Sequence, residues 1–405
     1  MRRPESPRHH LRPRALVVAA AVLVAAQGVE AELWYIEPRA VLRTFYDDNV
    51  RLTPKDTENS FGAIVRARVE LGRRTEVSEI GVNAEVDSRH YSDVSELDRT
   101  NGALSAAWRY RLDRHRVGLD GTFDYDSTLT SEEETTGFVQ VNKRRSRFFI
   151  RPSWRYAMSE RTDVEAAFDY EDVSYEDVDV IPLFDYSASR ASFVAGHGLS
   201  ERLRLLGRVA YGSYDAPQID TETSAYGLEA GAVYNWSETL SVSFVAGVRS
   251  SDSQTPSLDG GLVERNTTGP LFELNLKKDF LVGELDLTAE RNLLPSSRGT
   301  LLDTTRLRLT FDYPVTSLWT FALDARAYRN RNPGGEVSGN DRDYVLFAPR
   351  LERRLSTALR LALGYRYRWQ DREATAEDAA SSNAVFLTLR YVFPREPLGR
   401  WSLLR

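Results

Sequence analysis

The stretch FGAIVRARVELGRRTEVSEIGVNAEV, residues 61–86, decides the fold. Phe61, Ala63, Val65, Ala67, Val69 and Leu71 share one parity. Gly62, Arg66, Arg68 and Glu70 share the other, and Ile64 alone is out of place. Arg73-Arg74-Thr75 interrupts the pattern. It then resumes on even numbers, with Ile80, Val82, Ala84 and Val86 against Glu79, Asn83, Glu85 and Asp87. Side chains of a strand alternate between two faces, so the stretch reads as a hairpin with one apolar and one charged face.

Working outward, the same unit recurs from about Ile36 to Phe393, and eighteen strands can be counted. Even-to-odd connections are short, as at Asp113-Arg114, Ser159-Glu160 and Ser237-Glu238. Every odd-to-even connection is expected to be long, as at Asp47–Asn59, Ser250–Thr268 and Asn330–Asp341. Strand twelve is placed at Leu271–Lys277 and strand thirteen at Leu281–Glu290. Strand eight, about Ser189–Leu199, is weak, and merging one weak pair would give sixteen strands. Long loops at one rim and tight turns at the other are the pattern of outer-membrane barrels. The expected fold is therefore all-β, a transmembrane antiparallel up-and-down β-barrel over residues 32–393, with both ends in the periplasm. Apolar rows ending in Trp108/Tyr110, Trp154/Tyr156 and Tyr391/Phe393 at one rim, and in Phe123/Tyr125 and Tyr365/Tyr367/Trp369 at the other, read as two interfacial girdles. A soluble sandwich or propeller needs no such girdles.

Composition narrows the function. The chain has 405 residues and no Cys, which excludes disulfides, thiolate metal sites and a Cys nucleophile. Mean hydropathy is −0.43, but a membrane barrel carries its apolar residues only at every second position. Five Arg precede the apolar run Ala15–Ala26, and Val29-Glu30-Ala31 offers small residues for cleavage, so residues 1–31 read as a secretory signal. The alternative is an uncleaved anchor helix, which the short run disfavours. Removing residues 1–31 takes away five Arg and two Glu, leaving 48 basic and 57 acidic residues and a net charge of −9. A mildly acidic chain with no basic tail argues against a nucleic-acid partner. Residues 394–405 are expected to form a short periplasmic tail, and only a few residues precede strand one, so no plug domain is expected.

Function would lie on the inward face. Arg66, Arg68, Arg109, Arg111, Arg147, Arg151, Arg155, Arg204, Arg208, Arg306, Arg308, Arg360, Arg366 and Arg368 are expected to line the lumen. So are Glu70, Glu79, Glu85, Asp87, Asp120, Asp124, Asp163, Glu165 and Asp169. From strand two to strand seven the sign alternates between neighbours. Facing residues on paired strands are about 5 Å apart, close enough for cross-strand ion pairs, and the planar guanidinium fork suits carboxylates. One reading is a salt-bridge lattice that props the barrel open. The other is a transverse field acting on solutes. Inward aromatics, Phe149, Tyr328, Tyr344 and Phe386, are few and not contiguous, which makes a sugar-stacking path a weaker reading than simple lining. No nucleophile–base pattern emerges, and neighbouring acids such as Asp163 and Glu165 sit among compensating Arg, so no enzyme activity and no cofactor are expected. Asp47-Asp48-Asn49 and the acidic loop Glu132-Glu133-Glu134 read as solvated loops, with oxygen ligation of calcium the alternative.

The string EPRAVLRTFYDDNV, Glu37–Val50, resembles the opening of the outer-membrane "β-barrel porin 2" family, whose members begin with a Pro-initiated strand leading to an aromatic-Asp-Asn-Val motif. Pro38 and Tyr46-Asp47-Asp48-Asn49-Val50 carry the resemblance. The resemblance implies envelope location and a place in exopolysaccharide export or exosortase-linked surface systems. The tail after Phe393 departs from barrels that stop at the terminal aromatic. Outer-membrane lipid and lipopolysaccharide, the barrel-assembly machinery, and a polysaccharide or export partner are the expected associates. An eighteen-stranded barrel is wide enough for an aqueous channel. The expected function is passive or facilitated diffusion of small hydrophilic solutes or glycans, and the alternative is a non-conducting structural barrel of a polysaccharide export system.

Overall fold

The computed structural model describes residues 33–133, 142–176, 178, 183–256, 262–333, 341–372, 379–394 and 396–397. The proposed signal segment lies outside these residues. Among them run eighteen barrel strands: β1 (Leu33–Asp47), β2 (Ser60–Arg74), β3 (Ser78–Tyr91), β4 (Arg99–Leu112), β5 (His115–Ser127) and β6 (Arg144–Ala157). They continue with β7 (Thr162–Tyr175), β8 (Tyr186–Gly198), β9 (Leu203–Ala216), β10 (Thr221–Ser237), β11 (Leu240–Pro256) and β12 (Leu262–Phe280). The last are β13 (Gly283–Pro295), β14 (Leu301–Pro314), β15 (Trp319–Arg331), β16 (Arg342–Arg354), β17 (Leu359–Arg372) and β18 (Ala380–Val392). Each pairs antiparallel with its neighbours in sequence, and β1 closes on β18 from Arg39↔Val392 to Asp47↔Ala384. Past Phe393 the chain pairs once more, Glu396 with Ile36 and Pro397 with Tyr35, so the tail extends the β1 seam.

The parity reading holds in the opening hairpin. Phe61, Val65, Val69 and Val86 point outward and are exposed on the barrel wall, whereas Ile64 turns inward and is buried. An apolar exterior and a closed ring of backbone bonds are what the hydrocarbon layer demands, since it offers no other partner to N–H and C=O groups. The protein is a transmembrane barrel of the bacterial outer membrane. Four of its short turns share one device. Ser159 Oγ accepts from the amides of Arg161 and Thr162, and Ser200 Oγ from those of Arg202 and Leu203. Thr316 Oγ1 and Ser356 Oγ repeat it two and three residues downstream. A side-chain acceptor at the first turn position satisfies amides that the ladder leaves free.

Three expectations need correction. Ser250–Thr268 is not a loop: β11 and β12 run on through it, paired as far as Pro256↔Leu262. Strand thirteen continues beyond Glu290 to Pro295. The odd-to-even connections are therefore not all long, for residues 217–220 and 296–300 are tight. Ser, Thr and Gly between hydrophobic runs signal loops on average, but a polar strand standing clear of the membrane has the same composition.

Among the described residues the longest split in the ring lies between β12 and β13. Pairing of β12 with β13 stops at Phe272↔Arg291. Above it, β12 from 262 to 271 still pairs with β11, and β13 from 292 to 295 still pairs with β14. The β13–β14 tip has swung into the lumen. Leu302, Asp303 and Thr304, on alternating faces of β14, are 2%, 8% and 3% exposed, whereas a strand in the wall keeps one face toward lipid. Asp303 shares the parity of the lipid-facing Leu307, yet it accepts from Arg249 of β11 at 2.6 Å and from Arg291 at 2.9 Å. The Ser296 carbonyl accepts from Tyr214 Oη at 2.9 Å, and the Ser297 carbonyl from the Phe184 amide at 2.7 Å. Gly299 (φ +77°) closes the tip, where a Cβ would collide with Ile219.

Parity should decide tolerance to charge. Val86→Arg and Leu228→Arg, both on the lipid face, should each destabilise the folded barrel in vesicles by about 2–4 kcal/mol when near the midplane. Ser105→Arg, paired with Asn83 and Thr122 on the lumen face, should change stability little, as read from urea-unfolding midpoints.

Candidate functional site

The lumen wall from β2 to β9 is a lattice of cross-strand ion pairs. Arg66 reaches Glu85 at 3.1 Å and Asp87 at 3.0 Å. Arg109 pairs with Asp120 at 2.6 Å, and Arg147 bridges Asp124 and Glu171 at 3.2 and 3.0 Å. Arg151 pairs with Asp169 at 3.5 Å, and Asp163 takes Arg155 at 2.6 Å and also Arg204. Arg208 bridges Glu229 and Glu273 at 3.3 and 3.0 Å. Farther round, Arg306 stands 3.7 Å from Glu290 and Arg360 3.1 Å from Glu352. Two partners differ from a simple register rule. Arg68 donates to Asn83 at 2.6 Å rather than to Glu85, which faces it, and Glu70 accepts from Tyr35 Oη at 3.1 Å. Glu79 faces Arg109 in register, and Glu165 faces Arg155. Arg111 faces Arg116, and Arg308 faces Thr288 and Arg326.

At the outer end the loops fold inward. Asp47 is neither solvated nor arranged for calcium. It is 2% exposed and accepts from Arg366 at 2.8 Å, Arg368 at 3.0 Å and Ser382 Oγ at 2.7 Å. Asn49 Nδ2 donates to the carbonyls of Thr53 and Ser381, and Asp48 holds Asn383 through its amide and side chain. The Asp-Asp-Asn run therefore fastens the first loop to β17 and β18. The reason is charge: two buried guanidiniums need a carboxylate, and an unpaired one would be costly.

The loop after β5 crosses the lumen. Glu132 accepts from Tyr175 Oη at 2.8 Å and Ser297 Oγ at 2.9 Å. Glu133 accepts from Tyr344 Oη at 3.0 Å and Arg368 Nη1 at 3.2 Å, and its carbonyl accepts from Arg342 at 2.6 Å. Burial pushes the Glu133 carboxyl up, but Arg368, Arg366 and the Tyr344 hydroxyl hold it down to about 2. Glu134 lies outside the described residues. Three apolar clusters pack beneath these loops, around Val173 and Tyr214, around Leu52 and Tyr344, and around Val94 and Leu129. Tyr328 and Tyr344 stack at 5.7 Å within the second, so these inward aromatics are contiguous after all, as core under a loop.

One part of the wall breaks the charge balance. Arg43, Arg89 and Arg366 line a cavity with Phe386, and the guanidiniums of Arg43 and Arg366 each stand 5.3 Å from the Phe386 ring centroid. Arg43 donates to Thr388 Oγ1 at 3.1 Å. Among the described residues neither Arg43 nor Arg89 has a carboxylate within ion-pair distance. The sequence reading singles out neither Arg43 nor Arg89. The available signal was the lack of acids facing them: Arg43 pairs in register with Ile64 and Thr388, and Arg89 with Ile64 and Arg99. Among the described residues no cluster of His, Asp and Glu is arranged to hold a metal.

No family model matches the chain, and no curated protein does. Similar solved structures include Acinetobacter baumannii OccAB3, at 13% identity over 88% of this chain and 99% of that one, with a TM-score of 0.40. Pseudomonas aeruginosa OccK3 (OpdO) is 12% identical over 88% and 95%, with a TM-score of 0.42. The outer membrane protein opdK from the same organism is 10% identical over 88% and 98%, with a TM-score of 0.42. At that level the barrel reading rests on the chain's own ring of strands.

A depressed carboxyl stabilises the fold above its unfolded pKa and loses that contribution as pH falls through its folded pKa. Glu133→Gln should therefore lower the urea-unfolding midpoint by a constant amount from pH 8 to about 5. The difference from the parent should then shrink as pH drops from the ordinary value of 4.5 toward about 2. A difference that stays flat to pH 2.5 would contradict the Glu133 anchor.

Proposed function

We propose that the barrel is a porin-like diffusion channel for small hydrophilic solutes, narrowed at its outer end and biased toward anions. The observation that carries this reading is the Arg43–Arg89–Arg366 cluster, which lines the narrowed region with too few carboxylates to neutralise it. The ion pairs along β2 to β9 support the lattice reading there, and the cluster supports a field reading at the narrowing. A low-dielectric wall focuses the field of unpaired guanidiniums into the aqueous path and raises the local concentration of anions. Glycan fragments, which the resemblance at Glu37–Val50 implies, are the finer form of the proposal. Lipopolysaccharide around the outer girdle, the assembly machinery during insertion and an export partner at the periplasmic rim belong to the same reading.

A second reading has an observation of its own. The three apolar clusters and the crossing loop fill much of the outer lumen, as a non-conducting assembly barrel would require.

Planar-bilayer recording of the mature chain separates the two. In a KCl gradient the open channel should reverse on the chloride side, and the pair Arg43→Gln with Arg89→Gln should move the reversal potential toward zero. Ohmic steps that shrink on adding oligosaccharide support glycan passage. Silence from a barrel shown folded by its heat-modifiable gel mobility would overturn the channel and leave the assembly reading.

A further inference from the structure

The split between β12 and β13 opens onto a cavity. It is about 260 Å³ in volume and lies between the inner faces of β6–β12 and the inward-swung β13–β14 tip. Leu271, Leu293, Leu294 and Leu301 form its apolar side, and Asp169, Glu171 and Arg190 stand on the opposite wall. Arg249 enters the same space. It is 4% exposed, and while one Nη holds Asp303, its Nε and Nη1 meet no acceptor. A buried guanidinium with two idle donors is costly unless an anion reaches it.

The split also touches the membrane. It begins at Leu271, beside Pro270, which stands in register with the lipid-facing Val248. Thr268, three residues higher, is level in register with Ser250 and with Tyr226, whose exposed ring packs on the exposed Tyr211 at 4.9 Å as an outer-girdle pair. About 10 Å of strand therefore stands unpaired on its β13 side below the girdle, at 3.3 Å per residue. Proline offers no amide and is confined within sheets to edges and bulges, so Pro270 suits a strand that is an edge here.

We propose that this split is a lateral portal, and that the cavity behind it binds a single-chain amphiphile with an anionic head. The alkyl chain lies against the four leucines, and the head stands against Arg249, whose two idle donors are closed off in this structure and turn to it on binding. The site shares Asp169 and Glu171 with the lumen wall, but binding is read directly, so the proposal does not depend on conductance.

Photolabelling tests it on the full mature barrel in phospholipid vesicles, with diazirine-bearing hexadecanoate as the probe. Labels should fall on β12 above Phe272 and on the β13–β14 tip. Hexadecanoate and hexadecyl phosphate should compete, their ranking telling a fatty acid from a lipid phosphate, whereas hexadecanol should compete about tenfold less well, the lower end of what a hydrogen bond to a charged group contributes. Gly227→Leu fills the cavity, because a Cβ there already stands 3.2 Å from Leu271 Cδ1. It should abolish labelling while heat-modifiable mobility stays intact. Arg249→Gln should erase the preference for the anions over the alcohol. Labels confined to the outward lipid face, equal competition by hexadecanol, or full labelling in folded Gly227→Leu would each overturn the proposal.

Discussion

Everything in this molecule follows from one requirement: a backbone crossing hydrocarbon must pair all its polar groups within itself. The ring from β1 through β18 and back to β1 meets it except along the outer part of the β12–β13 seam. Alternation then becomes obligatory, because each strand presents one row of side chains to lipid and the next to the lumen. The lumen row is wet and can carry charge. Neighbouring strands bring the carriers within reach of each other, and the Arg–carboxylate lattice of β2 to β9 is the outcome. The same requirement explains why the split in the ring starts just inside the girdle and widens outward, into water, where open N–H and C=O groups cost least.

Much of this was legible in the sequence. Period two gave strand number, the closed fold and the lipid-facing residues, because lipid contact acts on every second residue of every strand. The lattice was legible for the same reason: Arg147, Asp124 and Glu171 occupy lumen parity on adjacent strands and do meet. Loop packing was not legible. Asp47 and Glu133 read as solvated acids, since nothing local says that Arg366 and Arg368, more than two hundred residues downstream, will need them. Strand length beyond the membrane was also hidden, because the outer parts of β11 and β12 have loop composition. Prolines were a signal left unused. Beside Pro152 the ladder from β6 to β7 is interrupted, beside Pro349 that from β16 to β17, and Pro270 marks the outer edge of β12.

Charge is handled differently at the two levels of the lumen. Along the wall, exposed pairs share solvent and contribute little each, so their value lies in keeping long Arg side chains against the wall. At the outer end the carboxylates of Asp47 and Glu133 are shared between Arg366 and Arg368, and with the Glu133 carbonyl, which takes Arg342, they fasten the loops after β1 and β5 to β16 and β17. Removing either carboxylate would leave buried charge unpaired, a larger penalty than breaking a surface pair. Arg43, Arg89 and Arg249 are the exceptions, with donors or charge unspent after the protein's own carboxylates are used. Two lie in the aqueous narrowing and one behind the split, which gives one barrel both a polar and an apolar route.

The central claim is that, among the described residues, the backbone ring has its longest opening at the outer half of the β12–β13 seam. Amide hydrogen exchange along β12, read residue by residue in the folded barrel, tests it most directly. From 272 to 280, where β12 pairs on both sides, amides of both parities should be protected. From 263 to 271 only those bonded to β11 should be protected, and every second amide should exchange quickly. Uniform protection along the whole strand would mean that β13 closes against β12 to the rim, and would contradict the split ring.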